Sequence, residues 1–226
     1  MEKLKTLTAA LSLVALLIAF NACKKGGSGS EPEQSINWTD YYIAGKVVFQ
    51  PGTNVPYVIT FKPNAQAVIQ WGDGSENANY TFQNGSLKLD LGGGGDVFNF
   101  KIEGEAITDL TTQGETELAS YTLEKVPAQN ALAGAVYSGS FRTAGSPLMV
   151  LSKLKFTENK YGESTLNEPV PNKDYTPIQH VAGTGVSGSN GTITFFVLIA
   201  GKLEAARYTH DVNGLKTIAT GTFTKQ

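Results

Sequence analysis

Residues 80–103 read YTFQNGSLKLDLGGGGDVFNFKIE, and their pattern decides the fold. Leu87, Leu89 and Leu91 alternate with Ser86, Lys88 and Asp90, and Phe98, Phe100 and Ile102 alternate with Asn99, Lys101 and Glu103. A period of two belongs to a strand with one face in a core and the other in water. Asn84-Gly85 stands between YTFQ and SLKLDL and supplies the positive φ that a two-residue hairpin turn requires. Gly92 to Gly95 lead into the strand Val97 to Glu103 with no Lys-Ser/Thr after them, so they connect a hairpin and do not cradle a phosphate.

The same signals extend outward along the chain. Ala200-Gly201 separates TITFFVLI from KLEAARY, and Asn190-Gly191 and Asn213-Gly214 repeat the turn dipeptide. No dozen residues beyond position 23 combine a 3.6 period with helix caps, so the reading is an all-β, antiparallel up-and-down meander. Pro127-Ala128-Gln129-Asn130 follows the strand Ala119 to Val126 and divides the meander into sections 36–126 and 131–226. Ile43-Ala44-Gly45-Lys46-Val47-Val48 opens the first section and Leu132-Ala133-Gly134-Ala135-Val136-Tyr137 the second, as in a repeat. The first section accommodates eight short strands. The second holds about six longer ones and an irregular stretch, Asn167 to Pro177, whose three prolines no central strand tolerates. One large shared barrel is the alternative arrangement.

The N-terminus is a targeting segment. Lys3 and Lys5 precede a 13-residue apolar run, Thr8 to Phe20, which at 1.5 Å per residue spans about 20 Å, short of a bilayer core of about 30 Å. Residues 1–22 therefore read as a signal peptide. The chain's single cysteine, Cys23, stands at the cleavage point, and Phe20-Asn21-Ala22-Cys23-Lys24-Lys25 resembles a bacterial lipobox. That resemblance implies that Cys23 is lipidated and that its acyl chains hold the protein on a membrane. Gly26, Gly27 and Ser28 follow the lysines where inner-membrane retention would place an aspartate, so the expected location is the cell envelope at the outer membrane. Residues 23–35 form the lipidated start and a Gly/Ser/Glu/Pro tether without apolar side chains.

The two sections resemble the small lipocalin-like domains of lipid-anchored proteins from Bacteroidota-type bacteria. The resemblance rests on the Leu/Ile-Ala-Gly openings, the strand Tyr57 to Lys62 followed by Pro-Asn, and the tail Ala219 to Lys225. It implies an up-and-down barrel or sandwich in each section, with room for a ligand.

Composition narrows the function. Eighteen basic and 20 acidic residues give a net charge of −2, so no basic face exists for nucleic acid, and one cysteine excludes a disulfide framework. His180 and His210 are the only histidines, and no Gly-x-Ser-x-Gly elbow lies on a strand-to-helix turn, so no catalysis is expected. Trp71-Gly72-Asp73-Gly74-Ser75 is similar to the WGDG loop of polycystic-kidney-disease-type surface domains, which are binding or spacer modules. The hairpin that Gly72-Asp73-Gly74 permits accounts for it as well. Asp73, Glu76 and Asn77 lack the alternating acids and closing Glu of a calcium loop, so neither metal nor cofactor is expected. Trp71, with Lys173 and Tyr175 of the proline-rich stretch, are the candidate ligand-binding residues, since rigid barrels carry recognition groups on loops at their mouths. The expected function is a non-catalytic binding module for a small apolar or glycan ligand. The alternatives are a structural or accessory lipoprotein with filled barrels and, further off, a carbohydrate-active hydrolase; oligomeric state is not legible.

Overall fold

The computed structural model describes residues 36–72, 74–188, 191–210 and 216–226. The signal segment, Cys23, the tether, Asp73, Asn190 and the Asn213-Gly214 turn lie outside the described residues.

A single 3₁₀ turn, Trp38–Asp40, leads into eight strands: β1 Tyr41–Gln50, β2 Thr53–Lys62, β3 Gln66–Trp71, β4 Gly74–Gln83, β5 Ser86–Asp90, β6 Val97–Glu103, β7 Ala106–Gln113 and β8 Leu118–Lys125. They form one antiparallel sheet in the order β7-β6-β5-β4-β3-β2-β1-β8. The sheet curls until its two end strands, β7 and β8, stand side by side without a ladder between them, which makes a nearly closed barrel. Alternation acts as the sequence predicts: Leu87 and Leu89 on β5 meet Phe100 and Phe98 on β6, all four buried. Asn84 and Gly85 both have positive φ, and Gln83 pairs with Ser86 across the turn. At one end the barrel is stoppered by Trp38, whose ring lies 5.1 Å from both Phe61 and Phe82.

The second section also has eight strands, not six. They are β9 Val136–Thr143, β10 Met149–Phe156, β11 Lys160–Ser164, β12 Lys173–Ile178, β13 Ala182–Ser187, β14 Thr192–Ile199, β15 Lys202–His210 and β16 Lys216–Lys225, closed into a barrel by pairing of β16 with β9. The extra strands are the short β11 and β12; β12 takes in the end of the proline-rich stretch, from Lys173 on, while Pro169 and Pro171 before it lie outside any strand, as the sequence predicts. Within β12, Pro177 sits opposite Gly183 on β13. The β11–β12 ladder ends at Asp174. Tyr175 directs its N–H to Asn159 on that side, and Pro177, two residues on, faces the same way, where no ladder remains for its missing N–H to break.

The repeat is also set differently from the Ala-Gly alignment. Gly134 lies in the turn before β9, whereas Gly45 lies within β1 and its structural counterpart is Gly139 of β9. A Cβ on Gly45 would fall 1.9 Å from the Ser120 carbonyl oxygen of β8, and one on Gly139 would fall 2.3 Å from that of Thr222 on β16. Each barrel thus has a glycine on its first strand where the last strand of the meander packs too closely for a side chain.

The two sheets are separate, yet residues 37–226 form one compact unit. The outer faces of β1 and β2 contribute Tyr42, Ala44 and Val58 to a buried cluster completed by Val181, Phe195, Val197 and Ala206 of the second barrel. Polar groups fasten the seam. Glu204, 8% exposed, accepts from Lys46 (3.0 Å) and from the Thr222 hydroxyl (2.8 Å). Glu124 accepts from the Tyr42 hydroxyl (2.8 Å) and from the Ala200 N–H (2.9 Å). The Trp71-Gly72 hairpin abuts the second barrel too: Gly72 has φ +51°, and a Cβ there would lie 2.1 Å from the Tyr208 ring, so only glycine fits.

Candidate ligand site at the mouth of the first barrel

The end of the first barrel opposite Trp38 is open. Alternation along β1, β2, β3 and β6 sends Val47, Tyr57, Ile59, Ile69 and Phe98 inward, and between them lies a cavity of about 80 Å³ that continues to Trp71 and Leu118 at the rim. Outside it a broader recess of about 240 Å³ is floored by Val47, Val48, Val55 and Trp71, with Phe49 at its edge 45% exposed. The two spaces share Val47, Trp71 and Thr116, so the indole stands at the threshold between interior and solvent.

The polar groups of the mouth divide by role. Asp96 is structural: its carboxylate accepts from the N–H groups of Glu115 (2.8 Å) and Thr116 (3.3 Å) and from the Thr116 hydroxyl, which fixes the turn joining β7 to β8. The Tyr57 hydroxyl donates to the Ser120 carbonyl (3.2 Å), and burial drives its pKa upward, so it is a neutral phenol at every physiological pH. Glu76 on β4 pairs with inward-facing Ile69, lines the cavity and is exposed, and Glu115 lines the outer recess and is exposed too, so both carboxylates are acceptors offered to solvent at this mouth. An apolar recess with a few convergent polar groups has the make-up of small-molecule sites generally.

The other two candidate residues are elsewhere, in the second barrel. Tyr175 is not on a loop but on β12, 5% exposed. Its hydroxyl accepts from Asn130 Nδ2 (2.8 Å) and donates to the Thr157 carbonyl (2.9 Å), and its ring meets Phe156 edge-on at 5.6 Å. It is a core residue that ties the inter-barrel connection to its barrel, which removes the loop-based reason for a ligand there. Lys173 faces into the same barrel, 3.6 Å from Glu163 and 5.4 Å from the centre of the Tyr161 ring.

Sequence reasoning missed the group that Lys173 joins. Glu163 on β11 receives two hydrogen bonds from the Arg207 guanidinium of β15, both 2.8 Å, and one from the Ser152 hydroxyl (2.7 Å). The partners are 44 residues apart and meet only through barrel closure, so no local spacing announces them. Burial pushes the Glu163 carboxyl up, but Arg207, Ser152 and Lys173 together outweigh it and hold the pKa below the usual carboxylate value. A pKa lowered by folding adds stability above the unfolded value of about 4.3, and that stability is lost as pH falls through the folded value. Glu163→Gln is expected to cost about 2 kcal/mol near neutral pH and to remove that part of the acid dependence. Urea midpoints of both proteins at about pH 7 and about pH 3 check this: the gap between them should shrink in acid, and a gap that stays constant would contradict the assignment.

His180 Nδ1 lies 2.9 Å from the Pro127 carbonyl oxygen, so the imidazole braces the inter-barrel connection. Among the described residues no three His, Cys, Asp or Glu side chains gather as a metal site. Comparison of the sequence with protein-family models and with curated proteins finds no match.

Proposed function

We propose that this chain is a lipid-anchored envelope protein whose first barrel binds a small apolar or glycan ligand at its mouth, without catalysis. The observation that carries the reading is the threshold indole: Trp71 stands over an apolar cavity in a barrel whose other end is stoppered by Trp38. The interior space of about 80 Å³ is smaller than the roughly 150 Å³ that a benzene-sized guest occupies in a dry protein cavity. A ligand therefore inserts a methyl or similarly small group past Trp71 and lays the rest across Val48, Phe49 and the indole, as a sugar ring or short amphiphile would.

Two tests follow. Trp71→Ala is expected to weaken any ligand found by screening monosaccharides, short fatty acids and small aryl compounds about ten-fold, or 1.4 kcal/mol, with little change in unfolding midpoint. Equal affinity in the variant would place the ligand elsewhere. Cys23→Ser is expected to move the protein from the membrane to the soluble fraction, because two lysines do not replace acyl chains; retention after a carbonate wash would refute the anchor.

The second reading, a structural or accessory lipoprotein acting through its surface, is favoured by the second barrel. Its interior is filled by Tyr137, Phe141, Phe156, Tyr161, Phe196 and Phe223, all buried.

A further inference from the structure

One half of the second barrel lacks part of its wall. β10 is paired with β9 along its whole length, Met149 with Arg142 through Lys155 with Val136. On its other side the ladder begins only at Lys153, opposite Ser164. Continued register would set Leu166 against Leu151. Instead the chain turns away: the Asn167 N–H bonds Ser164 Oγ (3.1 Å) and Glu168 receives Lys155 (2.8 Å), which leaves Leu166 85% exposed. The backbone groups of Val150 and Ser152 turn to β9, so Met149 and Leu151 present their N–H and C=O groups to open space on the other side.

This free edge carries the most exposed apolar run of the described fold. Leu148, Met149, Val150 and Leu151 are 74%, 62%, 54% and 70% exposed. Neighbours on a strand point to opposite faces, so both faces of the edge are apolar. Exposed edges are usually blunted by lysine, proline or covering loops; Pro147 borders the run at its start, but none of these stands within positions 148–151.

The chemistry selects the occupant. An acyl chain would satisfy the leucines but leave the backbone groups unpaired, and a sugar would leave the leucines uncovered; an extended peptide satisfies both. The surrounding charge is net positive, its nearby acids being Glu168, which interacts with Lys153, and Glu204, which lines a recess with Arg142 and Met149. Arg142 and Lys153 flank the run and are in no salt bridge among the described residues, and behind it Arg207 and Lys173 share the single carboxylate of Glu163. The chain's own tether is unsuited, because residues 24–35 contain no apolar side chain to cover the leucines. We propose that the free edge at Met149 to Ser152 is a docking site for an extended peptide segment of a partner protein, apolar at alternate positions and acidic at its flanks, which pairs antiparallel with β10 and continues the ladder that β11 abandons.

A phage library of random nonapeptides, selected on the full chain and counted against the Met149→Lys/Leu151→Lys variant, tests this. Both side chains are exposed, so the variant is expected to keep the wild-type circular dichroism and melting curve. Enriched peptides should alternate Val, Ile, Thr or Phe with polar residues and carry Asp or Glu near their ends. A synthetic copy of the best one should bind the variant at least ten-fold more weakly and slow hydrogen exchange of the free amides within residues 149–152 of the wild type at least ten-fold. Absence of enrichment, equal binding to the variant, or protection confined to other strands would overturn the proposal. Binding of wild type but not variant to phosphatidylglycerol vesicles, with no peptide enriched, would also overturn it and make the run a lipid contact. The exchange measurement uses unmodified protein, so it decides between these outcomes even if the double variant misfolds.

Discussion

Residues 131–226 produced alone are expected to aggregate, although they contain every strand of a closed barrel. Val181, Ala182, Phe195, Val197, Ala206 and Tyr208 are each at most 1% exposed, and they belong to the cluster that the first barrel completes. Removing β1 and β2 would open this face to water. At about 1.5–3 kcal/mol for each large side chain, the loss is comparable with the whole stability of a domain of this size, about 5–15 kcal/mol. Glu204 would also lose Lys46. Size-exclusion chromatography with circular dichroism decides: the expected result is soluble oligomer or precipitate, with the full chain monodisperse and unfolding in one transition. A monomeric fragment that melts cooperatively at the full chain's midpoint would show that the shared face contributes little.

Phe156→Ala is expected to be the most damaging single substitution within either barrel. The Phe156 ring touches four others, with centroids at 6.0 Å to Tyr137, 6.2 Å to Tyr161, 5.6 Å to Tyr175 and 5.1 Å to Phe196. Its backbone binds at both ends: the Phe156 N–H reaches the Ala135 carbonyl, and its carbonyl accepts from Gly134. Truncation removes the centre of this aromatic packing and leaves a cavity that surrounding rings in fixed rotamers cannot fill, a cost of about 3–5 kcal/mol. Phe156→Leu, which keeps most of the volume, should cost well under half as much. Urea unfolding of the three proteins measures the difference. A loss below about 1 kcal/mol for the alanine variant would mean that the core collapses around the gap.

How much of this was legible depends on the range of the interaction. β5, β6 and the Asn84-Gly85 turn follow from alternation and one dipeptide, both local. Ala200-Gly201 behaves as the same kind of turn, with Ala200 at positive φ because Ile199 and Lys202 pair across it. The strand β12 was hidden because Pro177 vetoes a strand only where both of its sides are paired, and the shortness of β11 is not written in the proline's neighbourhood. With β12 hidden, Tyr175 read as a loop residue. The inter-barrel face was visible only as an anomaly: in VPYVITF, residues 55–61, inward Tyr57, Ile59 and Phe61 alternate with Val58 and Thr60, which are buried as well, so β2 shows a continuous apolar run where a one-sided strand would alternate. Trp71 could be singled out from its motif, but Val48 and Phe49 could not, because β1 departs from regular pairing between Val48 and Gln50 and that irregularity places them at the recess.

The most direct test of the binding account uses the chain's two tryptophans, one at each end of the first barrel. Full-length protein labelled with 5-fluorotryptophan should give two ¹⁹F resonances, from Trp38 in the stopper and Trp71 at the mouth. On titration with the hits of a monosaccharide, fatty-acid and aryl-compound screen, the Trp71 resonance should shift saturably while that of Trp38 stays in place. A Trp71 resonance unmoved by every compound that binds the protein, or a shift confined to Trp38, would contradict a ligand site at the open mouth.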